Sequence, residues 1–203
     1  MKVICIGRNY ADHAKELNNP VPAVPVFFMK PDTAVLKNGE DFYLPEFSNE
    51  IHHELEIVLK ISKAGKYIQE EFASNYFEEI GLGIDFTARD LQQECKTKGL
   101  PWEIAKAFDG SAPIGQFVKK EDLGDLNHIA FYLEINGAIR QKGNTSDLLF
   151  NFNKIIAYVS QFVTLKTGDL IFTGTPAGVA AVNIGDNLKG FIGENCLLDF
   201  TVK

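Results

Sequence analysis

The segment 52–62 constrains the fold of this sequence more than any other part of it. From Leu55 to Ile61 every second residue is apolar, and a two-residue apolar period is typical of a β-strand with one buried face. Glu54 and Glu56 then share the opposite face, with Cα atoms roughly 6.5 Å apart. The pattern predicts either an ordinary solvated acidic face or a rigid platform on which two carboxylates close on one cation. Because carboxylates are mostly surface residues, the spacing alone favours the solvated face.

The rest of the chain contains more strand signals than helix signals. Apolar or alternating runs predict strands at 3–6, 26–29, 34–36, 81–86, 129–135, 139–142, 170–172, 187–192 and 197–202. Helices are predicted at 10–18, 88–98 and 149–162, and Asn136-Gly137 is a strong hairpin signal. The few helices are dispersed and do not alternate regularly with strands. We therefore expect a mixed α+β, mostly β fold with short helices rather than a doubly wound parallel sheet.

The net charge and the cysteines limit which binding partners and which cellular compartment we expect. A formal net charge of −7 over 203 residues argues against binding to nucleic acid or to an anionic membrane. No apolar stretch is long enough to span a bilayer. The three cysteines lie far apart and show no CxxC spacing, which is typical of a reducing compartment rather than a disulfide framework. We therefore expect a cytoplasmic protein with no nucleic acid and no membrane as partner.

Asp85 adds a third acid to the pair formed by Glu54 and Glu56. It follows the apolar run 81–84 and comes just before a predicted helix. An acid there is either a partner for the helix N-terminus or a ligand presented at a strand end. No cluster of histidine and cysteine lies nearby, which disfavours Zn²⁺. Three carboxylates with open positions for water and substrate favour a hard cation, Mg²⁺ or Mn²⁺.

The helix predicted after Asp85 carries polar residues that suit an anionic ligand. Thr87 and Asp90 have the spacing of a capping box. Arg89 and Gln92 lie three residues apart and so share one face of the helix. Arg89 binds carboxylates by its geometry, and Gln92 can donate or accept a hydrogen bond. A solvated helix face is the other interpretation that this spacing allows.

Five segments of the chain carry chemically active residues in a characteristic order. They are Gly7-Arg8-Asn9-Tyr10 with His13 and Glu16, His53-Glu54-Leu55-Glu56, Gly83-Ile84-Asp85-Phe86-Thr87-Ala88-Arg89-Asp90-Leu91-Gln92, Ala105-Lys106-Ala107-Phe108-Asp109, and Gly168-Asp169 with Thr173-Gly174-Thr175-Pro176-Ala177-Gly178-Val179. This set spans nearly the whole chain and resembles the fumarylacetoacetate hydrolase superfamily. The compact length and the Gly-Arg-Asn-Tyr start resemble its acylpyruvase and oxaloacetate decarboxylase branch.

The resemblance implies a fold and an assembly. It implies one catalytic domain over 1–203, in agreement with the length of the chain. Within it, about 1–20 would form a strand and a lid helix, and about 21–203 would form the mixed β-roll of the family's catalytic domain. The resemblance also implies a homodimer.

The resemblance further implies a role for each matched position. The implied metal ligands are Glu54, Glu56 and Asp85, the substrate-contacting residues are Arg89, Gln92 and Thr175, and the catalytic residues are Lys106 together with His13 and Glu16. The last two match a pair on a lid helix that orders over bound ligand. Without the resemblance, His13 would be interpreted as a surface histidine and Lys106 as a solvated loop lysine.

The implied substrates are small 2-oxo acids, and the expected chemistry is cleavage of a C–C bond. Bound to a metal through its carboxylate and 2-oxo oxygen, such an acid becomes an electron sink, because the cation stabilises the developing enolate. Bonds at C3 are thereby weakened, which covers oxaloacetate decarboxylation and acylpyruvate hydrolysis. Hydrolysis also needs an activated water, for which Glu16 would support His13 as the base. Lys106, partly desolvated, is expected to have a lowered pKa suited to proton donation, and Thr175 to donate its hydroxyl and backbone N–H to the substrate carboxylate.

The sequence leaves two other functions open. The same enolate chemistry would serve tautomerisation of an unsaturated 2-hydroxy dioate, as isomerase members of the superfamily carry out. That reaction needs proton transfer between C3 and C5 but no lytic water. A non-catalytic metabolite binder would bind metal and ligand without turnover, although a sensor has no use for a water-activating pair.

Overall fold

The computed structural model of the chain describes residues 1–17 and 20–203. Its strands are β1 (Val3–Gly7), β2 (Val26–Lys30), β3 (Val35–Leu36), β4 (Ile51–His53), β5 (Leu55–Ile61), β6 (Phe77–Ile84), β7 (Thr87–Ala88), β8 (Ala112–Lys119), β9 (Ala130–Ile135), β10 (Ala138–Asn144), β11 (Leu170–Phe172), β12 (Ala180–Ala181), β13 (Asn187–Ile192) and β14 (Asn195–Thr201). Its α-helices are α1 (Ala11–Glu16), α2 (Arg89–Lys98), α3 (Glu103–Lys106) and α4 (Phe152–Phe162). None of the helices in this described part of the chain is long and apolar enough to cross a membrane. The predicted mixed, mostly β fold with short helices is confirmed.

Within the described residues the strands form three sheets, and the largest holds β5 in its interior. Its strand order is β2-β1-β11-β5-β6-β8-β3, with β1 parallel to β11 and β3 parallel to β8. A four-stranded sheet has the order β10-β9-β13-β14, and a three-stranded sheet has the order β12-β4-β7. β5 and β6 are antiparallel, and Leu55 is paired with Ile84. The acids at the start of β5 and just beyond the end of β6 therefore come together.

The two faces of β5 are both buried. Leu55 and Ile57 lie on its apolar face in the main core, in one cluster with residues of β9, β13 and α4. On the other face, Val58 belongs to a second cluster that includes Phe172. The prediction of a solvated acidic face, which the spacing favours, is therefore wrong. The second face of β5 is covered, and Glu56 is only 2% exposed.

The strands around the three acids differ from their predicted bounds. The strand predicted over 52–62 is interrupted at Glu54, which lies between β4 and β5. The strand predicted over 81–86 begins earlier, at Phe77, because β5 pairs with it that far, and it ends at Ile84. The helix predicted over 10–18 is α1, and its predicted end at Asn18 lies outside the described residues.

The start of α2 does not form the predicted capping box. The cap position is Ala88, which makes no side-chain cap hydrogen bond. Thr87 Oγ1 donates instead to the carbonyl of Asp85, and Asp90 accepts a hydrogen bond from the hydroxyl of Ser48 at 2.6 Å. The capping box was wrong because a distant segment of the chain takes the Asp90 carboxylate.

The predicted hairpin between β9 and β10 is confirmed. Asn136 and Gly137 have φ values of 54° and 76°, and a two-residue type I′ turn requires positive φ at both positions. The turn fixes the register of the outer pair of strands in the four-stranded sheet.

Candidate active site

Three buried carboxylates meet at the adjoining ends of β5 and β6. Glu54 lies just before β5, Glu56 lies on it, and Asp85 directly follows β6. Each offers an oxygen, and these atoms all lie within 4.8 Å of one another. The backbone N–H of Asp85 donates to the carbonyl of Glu54 at 2.9 Å, which holds the two segments side by side. We call these three side chains the carboxylate cage.

Two of the predicted site residues bring positive charge to the cage. Lys106, on α3, donates from Nζ to Glu54 at 2.9 Å and to Asp85 at 2.8 Å. Arg89, the first residue of α2, forms an ion pair with Glu54. The helices α2 and α3 therefore place their cations directly against acids that the large sheet provides.

Lys30 is a cation at the cage that the sequence reasoning missed. It is buried at the end of β2, and its Nζ lies 2.7 Å from Asp85 Oδ1, as an ion pair rather than an aligned hydrogen bond. The same ammonium donates to the carbonyls of Phe86 at 3.2 Å and Ser111 at 2.7 Å. The available signal was a lysine that closes an apolar run directly before Pro31. A solvated strand end would give the same pattern.

The environment of the cage moves the pKa values of its two glutamates in opposite directions. Burial alone would raise the pKa of Glu54, but Lys106 and Arg89 hold it well below its ordinary value. Burial, followed by the charges of Asp85 and Glu54, raises the pKa of Glu56 well above its ordinary value. The chain's own cations therefore relieve the repulsion among the three acids only in part.

The residues of the cage fit a hard divalent cation. All three potential ligands are carboxylates that converge in a buried place, and oxygen ligands of this kind suit Mg²⁺ and Mn²⁺. The repulsion that raises the pKa of Glu56 is the kind of interaction that a bound divalent cation would reverse. The donor set does not distinguish Mg²⁺ from Mn²⁺.

The electrostatics of Lys106 correct one prediction. The sequence predicts a pKa lowered by burial and by a nearby metal. Burial does lower it, but the charges of Asp85 and Glu54 outweigh burial, and the pKa lies above its ordinary value. The prediction left out these two carboxylates, which favour the ammonium form of Lys106.

His13 and Glu16 are in contact on α1. His13 Nδ1 lies 3.0 Å from Glu16 Oε2, and His13 is 5% exposed. The other oxygen of Glu16 accepts the backbone N–H of Gly178 at 3.0 Å. Glu16 thus orients the imidazole and ties α1 to the segment after Thr175, as a histidine and its supporting acid require.

One small cavity of about 40 Å³ joins these groups. All the predicted site residues except Glu16 line it, and its volume is well below the usual range for small-molecule sites. The other residues that line it include Arg8, Phe28, Lys96 and Trp102, to which the sequence reasoning gave no role. Arg8 lies in one of the motifs quoted above, and Trp102 is the one tryptophan of the chain.

The predicted substrate-contacting residues are partly engaged with the chain itself. Arg89 donates to Gln92 Oε1 at 2.7 Å. Thr175 Oγ1 donates to the carbonyl of Leu55 at 2.8 Å and accepts from Gln141 at 2.7 Å. The hydroxyl hydrogen of Thr175 is therefore directed to the start of β5, and its role toward a substrate carboxylate stays a prediction.

Gln141 is a further residue that the sequence reasoning missed, and it supports the cage from the core. Its Oε1 accepts the backbone N–H of Leu55 at 3.0 Å. His53 Nδ1 lies 3.3 Å from the same oxygen, and burial lowers the pKa of His53 to about 4. His53 is therefore neutral at pH 7 and lies buried beside Glu54.

Proteins of known name are similar to the chain over almost its whole length. The chain is 43% identical, over 99% of its own length and 91% of the relative's, to the Mus musculus protein named oxaloacetate tautomerase FAHD1, mitochondrial. It is 40% identical, over 99% of the chain and 93% of the relative, to oxaloacetate decarboxylase, mitochondrial, of Dictyostelium discoideum. Its structure is similar to that of fumarylpyruvate hydrolase from Pseudomonas aeruginosa in complex with Mn²⁺ and pyruvate. The TM-score is 0.94 and the identity is 38%, over 100% of this chain and 89% of that one.

The comparison with these relatives corrects the expected location. Both curated relatives are named mitochondrial, which points to mitochondria, so the prediction of a cytoplasmic protein was wrong. That prediction rested on scattered cysteines, and the structure has Cys5, Cys95 and Cys196 as free thiols. Free thiols indicate only that no disulfide framework exists, and they do not distinguish one compartment without disulfides from another.

The resemblance based on the five motifs is confirmed by the match of the chain to a family. Residues 2–197 match the family described as fumarylacetoacetate (FAA) hydrolase C-terminal. The match includes the carboxylate cage, α1, Lys106 and Thr175, and the relatives that share it are enzymes by name. The chain therefore belongs to the fumarylacetoacetate hydrolase family and is an enzyme of that family.

Proposed function

We propose that the chain is a divalent-cation-dependent enzyme that acts on oxaloacetate and related small 2-oxo acids. The observation that carries this proposal is the buried carboxylate cage with Lys106 in contact with two of its acids. The names of relatives that act on oxaloacetate support the substrate class, as does a similar structure in complex with Mn²⁺ and pyruvate.

The cage supplies the place where the cation and the substrate meet. Glu54, Glu56 and Asp85 would hold Mg²⁺ or Mn²⁺. When bound, the cation stabilises negative charge that develops on the 2-oxo oxygen of the substrate. The burial of the three acids keeps bulk water away, so that charges at this place interact more strongly than in solution.

Lys106 supplies the proton that the reaction at C3 requires. In decarboxylation the bond from C3 to the departing carboxylate breaks, CO₂ leaves, the electron pair stays on C3, and one added proton gives pyruvate. In tautomerisation of the enol form the enol O–H releases its proton to water, Lys106 adds a proton at C3, and all carbon–carbon bonds remain. The ammonium of Lys106 contacts Glu54 and Asp85 and so lies at the cage, where it can donate this proton, and it recovers its proton from water.

Hydrolytic C–C cleavage of acylpyruvates is a second candidate, which the contact between His13 and Glu16 favours. The imidazole takes a proton from water, and the oxygen adds to the acyl carbonyl carbon. The C–C bond at C3 then breaks, its electrons stay on C3, and Lys106 protonates C3 to give pyruvate and a carboxylic acid. Glu16 supports the imidazolium that forms. Isomerisation of an unsaturated dioate would use the proton transfer without the water.

Turnover by EDTA-stripped protein tests the proposal. Oxaloacetate and acetylpyruvate are each supplied with and without Mg²⁺ or Mn²⁺, and release of pyruvate and loss of enol absorbance are followed. We expect conversion of oxaloacetate that depends on added metal. Metal-dependent turnover of acetylpyruvate would support the second candidate as well.

Two outcomes would contradict the proposed function. If the protein binds metal but converts neither substrate, the function shifts to isomerisation of longer dioates. If the stripped protein does not bind Mg²⁺ or Mn²⁺ at all in a calorimeter, the cage has another role and the proposal fails.

The homodimer stays a prediction from the resemblance. Sedimentation would test it, because a mass near 22.6 kDa, that of one chain, would contradict a dimer.

A further inference from the structure

Two cations line the cavity but take no part in the reaction proposed above. Arg8 directly follows β1, and Lys96 lies in the last turn of α2. Both side chains line the cavity that contains the carboxylate cage.

The backbone at Arg8 is held in a conformation that residues other than glycine rarely adopt. Its φ is 60°, and such strained residues persist only where the surrounding structure over-determines them. The next residue, Asn9, is fully buried and donates from its side chain to the carbonyls of Phe150 at 3.0 Å and Thr173 at 2.8 Å. Its side-chain oxygen also accepts the N–H of Phe150 at 2.8 Å. These three hydrogen bonds fix Arg8 at the cavity despite the strain.

Lys96 is half-buried among groups that disfavour its charge. Burial lowers its pKa, and the charges of Arg89 and Arg8 lower it further. Its Nζ lies 5.6 Å from the centroid of the Trp102 ring, which also lines the cavity. The two arginines and Lys96 therefore form a positive region beside the cage, and an anion bound there would relieve their mutual repulsion.

The positive charges at the cage are already paired, whereas those at Arg8 and Lys96 are not. Lys30, Lys106 and Arg89 each contact at least one acid of the cage. Across residues 1–17 and 20–203, by contrast, neither Arg8 nor Lys96 has a carboxylate within 4.0 Å. Among the described residues, the cavity thus has one end at which acids and cations are paired, and another part at which Arg8 and Lys96 have no acid partner.

We propose that Arg8 and Lys96 bind the second carboxylate of a short dicarboxylic 2-oxo acid whose 2-oxo end lies at the cage. This inference rests on the proposed function and adds to it the two residues that bind the second carboxylate of a substrate such as oxaloacetate. An arginine offers a fork that matches both carboxylate oxygens, and a lysine adds a compact point charge.

The subsite also affects which reaction the substrate undergoes. Departure of CO₂ removes the charge of the second carboxylate, so cations that stabilise this charge in the bound substrate raise the barrier to decarboxylation. Proton transfer at C3 leaves the second carboxylate intact, so the two cations do not raise the barrier to this reaction. The two cations therefore shift the ratio of the two reactions toward tautomerisation of oxaloacetate.

Substitution of the two cations tests the subsite with two substrates. Oxaloacetate has a second carboxylate, and acetylpyruvate has a methyl ketone in its place. For Arg8→Met and for Lys96→Met we expect KM for oxaloacetate to rise roughly tenfold to a hundredfold, as for the loss of a hydrogen bond to a charged group. KM for acetylpyruvate should stay nearly unchanged, and pyruvate release relative to tautomerisation should rise.

Two kinds of control accompany these variants. Lys98→Met removes an exposed lysine of the same helix, which pairs with Glu94, and it should alter neither KM. Lys96→Arg retains the charge and should restore most of the affinity for oxaloacetate. Thermal melting identifies a variant that does not fold. If Arg8→Met does not fold, Lys96→Met by itself still tests the subsite.

The outcomes separate the subsite from the proposed function. Equal rises in both KM values, or no rise for oxaloacetate, would overturn the subsite. If the wild type converts neither substrate, the proposed function fails, and calorimetry then tests the subsite by itself. Oxaloacetate should bind more tightly than pyruvate to the wild type, and the two methionine variants should lose that preference; equal affinities in the wild type would overturn it.

Discussion

The two sides of the cavity are built in different ways. The carboxylate cage lies at the ends of β5 and β6, and β5 is hydrogen-bonded to a neighbouring strand along both of its edges. The pair formed by His13 and Glu16 lies on α1, a six-residue helix with no side-chain cap at its N-terminus. A helix of that length is not stable by itself in water, so α1 depends on ties such as the one from Glu16 to Gly178.

This difference implies that the two sides of the cavity contribute to different reactions. The cage is fixed by the sheet before any ligand arrives, whereas the contacts of α1 are few enough to be exchanged for contacts with a ligand. All the proposed reactions use the cage, but only hydrolysis uses the pair. Substitutions in the cage should therefore affect every reaction, and substitutions on α1 should affect one.

The largest effect is expected for Glu56→Gln. It removes one charge of the cage while it keeps the shape, so binding of Mn²⁺ and turnover of oxaloacetate and acetylpyruvate should all fall below detection, as for loss of a metal ligand. Calorimetry with Mn²⁺ and the two turnover assays measure this. Glu79→Gln on the neighbouring strand, where the acid is partly exposed and paired with Lys60, should leave all three unchanged. Retained metal affinity in Glu56→Gln would show that the cage is not the metal site.

A selective effect is expected for His13→Asn. Hydrolysis of acetylpyruvate should fall by roughly 10²- to 10⁴-fold, as for loss of a general base, whereas decarboxylation of oxaloacetate should change only slightly. His128→Asn is the matched control, because His128 is exposed and contacts Asp125 three residues away with similar geometry. An equal loss of both reactions would mean that α1 is as essential to the shared chemistry as the cage.

A smaller effect is expected for Lys30→Met, which removes support behind the cage. The contact with Asp85 Oδ1 is lost, so this carboxylate is less well oriented, and Mn²⁺ affinity should fall about tenfold, as for other groups that orient metal ligands. Turnover at saturating metal should change less than affinity. Lys60→Met, at the one partly exposed position of β5, is the control. Unchanged Mn²⁺ affinity in a folded Lys30→Met protein would show that the sheet holds Asp85 without this lysine.

The parts of the site that lie close together in sequence were the easiest to predict. Glu54 and Glu56 are recognisable from their spacing, and Asp85 from its place between an apolar run and a helix. By the same local reasoning the segments of β11 and β13 were predicted with their observed bounds. Such features depend on the periodicity of one segment, which the sequence displays directly.

The features that the sequence reasoning missed depend on contacts between distant segments. Lys30 meets Asp85 only after β2 and β6 take their places in the sheet. The capping box failed because Ser48 takes the Asp90 carboxylate. The direction of the pKa shift of Lys106 depends on two acids from other elements. The periodicity of a single segment carries no information about these contacts.

The pairing of β1 bears on the order in which the enzyme can be assembled. β1 lies between β2 and β11, and Val3 is paired with Leu170. During synthesis, the first strand must wait for its parallel neighbour until most of the chain has left the ribosome, and contacts of such long range are slow to form. Since Arg8 and α1 directly follow β1, they reach their places at the cavity only after β11 has been made, and a nascent chain that stops before β11 has the acids of the cage but no finished site.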